Sequence, residues 1–286
     1  MLDWTKSTKM SFLLKETKAL LSQYRLWAKK RLGQYFLIDE KMLGIIIKSA
    51  QLKKGETVLE IGPGTGLLTE RLLAEGVQVI AIELDSGFYR LIQQKFALQI
   101  SSQKLILIHG DILKMKLEDL PLSLPYKVVS NLPYQITTPL LEKIFTASKR
   151  PSLLVLLVQK EVAERAIACP PKMNRLALMV QFCGEVKIIK TVSKASFWPQ
   201  PKVDSAILLI IPKKINFPIS QKLLFQLIRQ AFGQRRKQLK NIFEIKLLEK
   251  AKIEPKLRPE NLSLSDWLRL AQVIEENSQE KEAKFV

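Results

Sequence analysis

Apolar and polar positions along this chain fall into blocks, and the character of the blocks changes at Pro212. From Thr57 onward, short apolar runs alternate with stretches of helical spacing. Thr57 to Ile61, Val77 to Ile82, Leu105 to Ile108, Lys127 to Ser130 and Leu153 to Val158 read as strands. Helices are predicted at Leu67 to Ala74, through Tyr89, Leu91, Ile92 and Phe96, at Pro139 to Phe145, at Lys160 to Ile167 and at Leu176 to Phe182. Val186 to Val192 and Asp204 to Ile211 read as two closing strands that form an antiparallel pair. Strands separated by helices predict an α/β fold with a doubly wound parallel sheet, whose ligands bind at the carboxyl ends of the strands. After Pro212 the strand signals stop, and Leu223 to Phe232, Arg236 to Phe243 and Leu264 to Ile274 read as helices. At the other end, residues 12–31 read as an amphipathic basic helix with Leu13, Thr17, Leu20, Leu21 and Tyr24 on one face. The chain therefore divides into a basic N-terminal extension (1–32), an α/β domain (33–214) and a helical C-terminal domain (215–286). The polar tail beyond Glu275 is expected to be disordered.

Composition narrows the classes of function. A length of 286 residues allows one α/β domain and a small second domain. No leader pattern is expected at the N-terminus, because Lys6 and Lys9 precede only the short run Met10 to Leu14. The strongest apolar run, Leu153 to Val158, is too short to span a bilayer. Cys169 and Cys183 are isolated thiols without metal spacing, which suits a reducing, cytoplasmic setting. His109 is the only histidine, so a histidine-based metal site and a Ser-His triad are excluded by count, and no metal is expected.

Charge adds a partner. The net charge is +19, and residues 187–258 hold 17 Lys/Arg against 4 Asp/Glu. Residues 1–32 hold 8 against 2, while 33–186 are nearly balanced at 18 against 15. This asymmetry predicts a basic surface for a polyanion. Arg235, Arg236, Lys237 and Lys240 form the densest cluster and are read as phosphate contacts; a solvated helix face is the plainer alternative.

The chemistry gathers at strand ends. Gly62-Pro63-Gly64-Thr65-Gly66 links the first strand to its helix, and its glycines permit close approach of a ligand. The spacing departs from the dinucleotide fingerprint, and no phosphate-cradling Lys-Ser/Thr follows. Glu83 ends the second strand, where a carboxylate accepts from ribose hydroxyls. Asp111 follows the third, where it accepts from an adenine amine. Singly, each acid is equally well a turn or cap residue. Together they describe a nucleoside pocket without a phosphate grip, which fits S-adenosylmethionine better than NAD. Asn131-Leu132-Pro133-Tyr134 follows the fourth strand. The Asn131 side-chain oxygen and the Leu132 or Pro133 carbonyl can accept the two N–H bonds of an exocyclic amine, and Tyr134 can stack on its ring. Alone, the tetrapeptide is more often a turn.

These motifs, in this order, resemble those of the ribosomal RNA adenine N6-dimethyltransferases. The resemblance extends to Gly33-Gln34-Tyr35-Phe36-Leu37, to Gln159-Lys160-Glu161-Val162 and to Phe197-Trp198-Pro199-Gln200-Pro201-Lys202-Val203-Asp204-Ser205. Phe232 to Asn241 and Arg258 to Ser263 resemble the small-subunit branch. What this implies is a Rossmann-like methyltransferase domain with a small helical domain that binds RNA. Tyr35, Leu37, Gly62, Gly64, Glu83, Asp111, Ile112 and Asn131 would hold S-adenosylmethionine, and Phe197 would close the target base opposite Tyr134. The implied reaction is dimethylation of two adjacent adenosines in the 3′-terminal hairpin loop of 16S ribosomal RNA, late in assembly of the small ribosomal subunit, by a monomer. The rival readings are a 23S ribosomal RNA methyltransferase conferring antibiotic resistance and an RNA-binding assembly factor without catalysis. A DNA adenine methyltransferase usually carries an acid in place of Asn131. Two departures from the family pattern stand out: Tyr35 occupies a position often held by Asn, and Met173-Asn174 replaces Tyr-Gly.

Overall fold

Continuous apolar runs form strands buried on both faces, because helices cover a parallel sheet from either side. The computed structural model describes residues 4–213 and 219–283. In chain order its elements are α1 (Trp4–Gln23), β1 (Phe36–Leu37), α2 (Glu40–Ala50), β2 (Thr57–Ile61), α3 (Leu67–Ala74), β3 (Gln78–Glu83), α4 (Ser86–Lys95), α5 (Ala97–Ser101) and β4 (Leu105–His109). They continue with β5 (Tyr126–Asn131), α6 (Thr137–Thr146), β6 (Leu153–Gln159), α7 (Lys160–Ala166), α8 (Arg175–Cys183), β7 (Gly184–Val192), β8 (Phe197–Trp198) and β9 (Ser205–Pro212). The last helices are α9 (Gln221–Gly233), α10 (Ile245–Lys250) and α11 (Leu264–Ala283).

Seven strands form one sheet in the order β4-β3-β2-β5-β6-β9-β7. β2 to β6 run parallel, and β9 lies antiparallel to β6, with Leu156 opposite Leu208. Every residue of β2 is buried, as are all but the last of β6. β1 and β8 make a separate two-stranded ribbon that sets Leu37 opposite Phe197.

The chain divides into two compact units. One comprises the N-terminal part through Ala163 together with Val186–Pro212; the other comprises Glu164–Glu185 together with the chain from Lys213. The division differs from a single cut after residue 214, a position that itself lies outside the described residues. Residues 164–185 join the helical unit because α8 packs on α9 and α11, with Phe182 against Phe225. Trp267, fully buried, centres that unit beside Phe232 and Phe243.

Three expected elements are placed differently. The basic helix spans Trp4–Gln23 rather than 12–31. Arg25 takes the left-handed conformation (φ 53°), and the Leu26 N–H turns back to donate to the Leu21 carbonyl at 2.8 Å, which ends the helix. Its face is as expected: Leu13, Thr17 and Leu21 are buried, and the two leucines join the core of the first unit. Arg236 to Phe243 is not a helix but a turn followed by a short 3-10 segment, Leu239–Asn241. Tertiary hydrogen bonds impose this shape: the Leu239 N–H donates to Leu257 and the Lys240 N–H to Pro255. The tail beyond Glu275 continues α11 to Ala283, with Gln272 donating to Glu276 one turn on. Among the described residues, no helix is long and apolar enough to cross a membrane.

Candidate active site

From β2 the chain builds outward through β3 and β4; it then returns to place β5 on the other side of β2. Between β2 and β5 the connections leave in opposite directions, which opens a crevice at the carboxyl ends of the strands. A cavity open to solvent occupies that place. Gly62 and Gly64 line it from β2, Glu83 from β3, Asp111 and Ile112 from the end of β4, and Asn131 to Tyr134 from β5. Tyr35 and Leu37, from the β1 segment, form a further wall.

The turn after β2 requires its glycines. Gly62 and Gly64 have φ values of 69° and 56°, which an L side chain adopts at a cost. A Cβ on Gly64 would stand 3.0 Å from the Phe36 ring. The bare turn therefore brings backbone to the cavity surface. Gly64 also donates its N–H to Glu83 Oε2 at 3.2 Å, while the Asp85 N–H donates to Oε1 at 2.8 Å. Glu83 is buried and its carboxyl is pushed above the usual range, chiefly by desolvation. Each of its oxygens retains a lone pair for a further donor. Asp111 accepts from the Leu113 N–H through Oδ1 at 2.9 Å, a turn-forming bond that leaves its second oxygen open.

A second buried acid was not singled out by sequence. Glu60 lies on β2, two residues before Gly62, and lines the same cavity. Burial pushes its carboxyl up to about 8, against the hydrogen bond from the Thr69 hydroxyl at 2.7 Å, and the nearby Glu83 raises it further.

The β5 end is held from several directions. The Ser130 hydroxyl donates to the Ile61 carbonyl at 2.6 Å, tying β5 to the start of the glycine turn. The Asn131 Nδ2 donates to the Tyr35 carbonyl at 3.0 Å. This bond fixes the amide orientation and leaves Oδ1 as an unused acceptor. It also explains why Tyr is compatible with position 35: the contact to Asn131 runs through the backbone. The Leu132 N–H donates to Leu157 at 3.1 Å, and the Pro133 carbonyl accepts from the Ile136 N–H at 3.1 Å. The Tyr134 hydroxyl shares a hydrogen bond of 2.7 Å with Ser205, which is fully buried at the start of β9. The Tyr134 hydroxyl is raised above its usual range, first by burial.

The structure does not bring Phe197 to this cavity. It is 3% exposed, paired through β8 with Leu37 and packed into the core of the first unit. The ring facing Tyr134 is that of Tyr35, with centroids 5.4 Å apart and planes inclined by 23°. Ser205, the last residue of the Phe197 motif, thus serves Tyr134, a pairing over 71 positions for which no local pattern exists. Lys29 was also missed. Its ammonium sits 2.7 Å from Asp85, which caps α4 and lines the cavity, and this contact holds the Asp85 carboxyl below its usual range.

In the helical unit, Arg235, Arg236, Lys237 and Lys240 are exposed on the turn after α9. Arg235 reaches Glu260 at 3.3 Å. Asn174 caps α8, accepting from the Ala177 N–H at 3.1 Å, and Met173 is buried beside it. That explains the departure at this position as a helix start. Among the described residues, no group of three metal-ligating side chains occurs.

A family model described as "Ribosomal RNA adenine dimethylase" matches residues 25–276. The chain is 40% identical over 278 residues to "Ribosomal RNA small subunit methyltransferase A" of Dehalococcoides mccartyi, covering 93% of this chain and 94% of that protein. The protein of that name from Pseudomonas putida is 39% identical over 268 residues, covering 90% and 98%. Among solved structures, a dimethyladenosine transferase from Plasmodium falciparum superimposes with a TM-score of 0.73 at 28% identity, over 84% of this chain and 97% of that one. A 23S rRNA methyltransferase superimposes at 0.66 with 24% identity, over 84% and 99%, and shares the fold.

Proposed function

Because the chain belongs to the ribosomal RNA adenine dimethylase family, we propose that its strand-end cavity holds S-adenosylmethionine beside a target adenine of small-subunit ribosomal RNA. The chain is an S-adenosylmethionine-dependent ribosomal RNA adenine dimethyltransferase. The substrate is read as two adjacent adenosines in the 3′-terminal hairpin loop of 16S RNA, modified in the cytoplasm by a monomer as the small subunit matures. The chain's cover of the small-subunit relatives supports this substrate.

The residues present fit the cofactor. The bare Gly62–Gly64 turn leaves room where a side chain would intrude. Glu83 has a lone pair on each oxygen for ribose hydroxyls, and the open oxygen of Asp111 suits an adenine amine. Leu37 and Ile112 supply apolar walls. When bound, S-adenosylmethionine supplies an electrophilic methyl group.

One observation carries the assignment of chemistry: Asn131 spends its amide N–H on Tyr35 and keeps Oδ1 for a donor. The N6 lone pair of adenine is delocalised into its ring, so the amine is a poor nucleophile. Asn131 Oδ1 accepts one N6 proton. The Leu132 or Pro133 carbonyl takes the other, the Pro133 oxygen keeping a lone pair beside its bond from Ile136. Two such bonds draw the nitrogen toward sp³ geometry and free its lone pair. Tyr134 stacks on the ring, held in place by Ser205. Acceleration then comes from positioning and electrostatics, with no strong base needed before attack. The base must be out of a helix to be reached, and RNA loops offer such bases cheaply. Arg235, Arg236, Lys237 and Lys240 are read as contacts to RNA phosphates.

The test is to incubate small subunits lacking the modification with labelled cofactor and digest them to nucleosides. Dimethyladenosine confined to a small-subunit loop is the expected result. Label in large-subunit RNA instead would overturn the substrate.

A further inference from the structure

Tyr35 and Tyr134 line one cavity, and their rings stack on one another with centroids 5.4 Å apart. A base placed between two rings needs about 7 Å, twice the contact distance of carbon atoms. No base fits between them in this arrangement. Asn131 and Tyr134 both line this cavity, and the Asn131 amide lies 3.0 Å from the Tyr35 carbonyl, so a ring that presents its amine to Asn131 and stacks on Tyr134 from that side meets the Tyr35 ring. We propose that the Tyr35 side chain occupies the stacking place of the target adenine in the free enzyme, and that the base enters by displacing it. The proposal rests on the reading of Tyr134 as the stacking face for the base.

The two tyrosines are held differently, which decides the one that moves. The Tyr134 hydroxyl is bonded to buried Ser205. None of the described residues holds the Tyr35 hydroxyl. The Tyr35 backbone, by contrast, is fixed. Its carbonyl accepts from Asn131, and the next residue pairs with Trp198 in the β1–β8 ribbon. Gly33, two residues earlier, lies so close that a Cβ there would stand 3.2 Å from the Tyr134 nitrogen. Rotation about the Tyr35 side-chain bonds therefore clears the face while the backbone acceptor for Asn131 stays in place. A flipped adenine replaces one aromatic contact by another, so entry exchanges stacking partners. Tyr35 is thus a positioning residue that sets how strongly a ring must stack in order to be admitted.

The test compares Tyr35→Ala and Tyr35→Asn with the ring-preserving Tyr35→Phe, using unmethylated small subunits and labelled S-adenosylmethionine. Loss of one aromatic pair should raise kcat/KM for the subunit by about two- to tenfold in the Ala and Asn variants. Tyr35→Phe, which keeps the ring, should stay below both of them. Cofactor affinity, measured by calorimetry without RNA, should move by less than this, because the backbone carbonyl remains. Thermal melts establish that each variant folds, and Asn is the second variant should Ala not fold. A kcat/KM that is unchanged or lower in both ring-deleting variants overturns the proposal; a lower value makes Tyr35 a supporting wall of the base site. Tyr134→Ala separates the two readings. If it lowers kcat/KM the stacking role of Tyr134 stands whatever Tyr35 does, and if it leaves kcat/KM intact the underlying reading fails as well.

Discussion

The strand-end cavity and the basic turn after α9 are built on opposite physical terms. In the cavity, Glu83, Asp111, Asn131 and Tyr134 each have a named protein partner that fixes their direction. On the turn, Arg236, Lys237 and Lys240 are exposed, and Arg235 has one acidic neighbour at its rim. Chemistry needs atoms held within fractions of an ångström, so the sheet over-determines them. Phosphate attraction acts over about 8–10 Å and tolerates mobile side chains. The cavity should respond to pH and to single atoms, and the turn to salt and to total charge.

The largest expected effect is at Asn131. Asn131→Ala should lower turnover by about a hundred- to a thousandfold, by analogy with loss of one preorganised transition-state partner. RNA binding should persist, as measured by filter retention. Turnover that survives would remove the amine-acceptor role and dissolve the contrast.

Glu60 tests the buried side through pH. Its folded pKa of about 8 lies above its ordinary value of 4.5, so the folded state keeps a proton that the unfolded state has lost. Stability from this group is therefore intact below about pH 4.5 and declines as pH rises toward 8. Glu60→Gln should stabilise the protein at pH 8.5 by a few kcal/mol, since each tenfold difference in proton affinity between the two states is worth about 1.4 kcal/mol, and should do little at pH 4.5. Urea denaturation at the two pH values measures the difference; equal gains at both would show that the acid is not held protonated.

The exposed side is tested with salt. Replacing Arg235, Arg236 and Lys237 together by Ala should reduce the slope of log affinity against log salt by about 2, taking about 0.7 per phosphate contact. An unchanged slope would assign the phosphate contacts elsewhere.

The smallest effect is expected at Ser205. Ser205→Ala removes the partner of the Tyr134 hydroxyl and should lower kcat by up to about tenfold, with cofactor affinity unchanged. A loss confined to cofactor binding would place Ser205 outside the base clamp.

Much of the sheet unit was legible because buried parallel strands are the plainest signal a sequence carries. Thr57–Ile61 and Leu67–Ala74 have the expected limits, and the other parallel strands differ by a residue or so at their ends. The β1–β8 ribbon was not legible: two-residue strands have no period to detect. Arg236 to Phe243 has helical spacing and yet forms the basic turn, because the bonds that forbid the helix come from Pro255 and Leu257. At the site, the residues gathered by successive strand ends were readable from topology. Tyr35 was named only through the family resemblance, and neither its backbone contact to Asn131 nor the place of its ring was readable. Phe197 packs in the core and does not line the cavity in this arrangement, because side-chain direction in a short ribbon depends on its partner strand.

The ribbon that pairs Leu37 with Phe197 is reinforced by the hydrogen bond from Ser196 to Asp39, which spans 157 positions of chain. At a synthesis rate of about 5–20 residues per second, that span takes roughly 8–30 s to make. Until Phe197 and Ser205 are made, the nascent wall of the cavity has no strand to pair with and the Tyr134 hydroxyl has no serine partner. The growing chain thus carries its glycine turn and its amine acceptor long before it can hold a base.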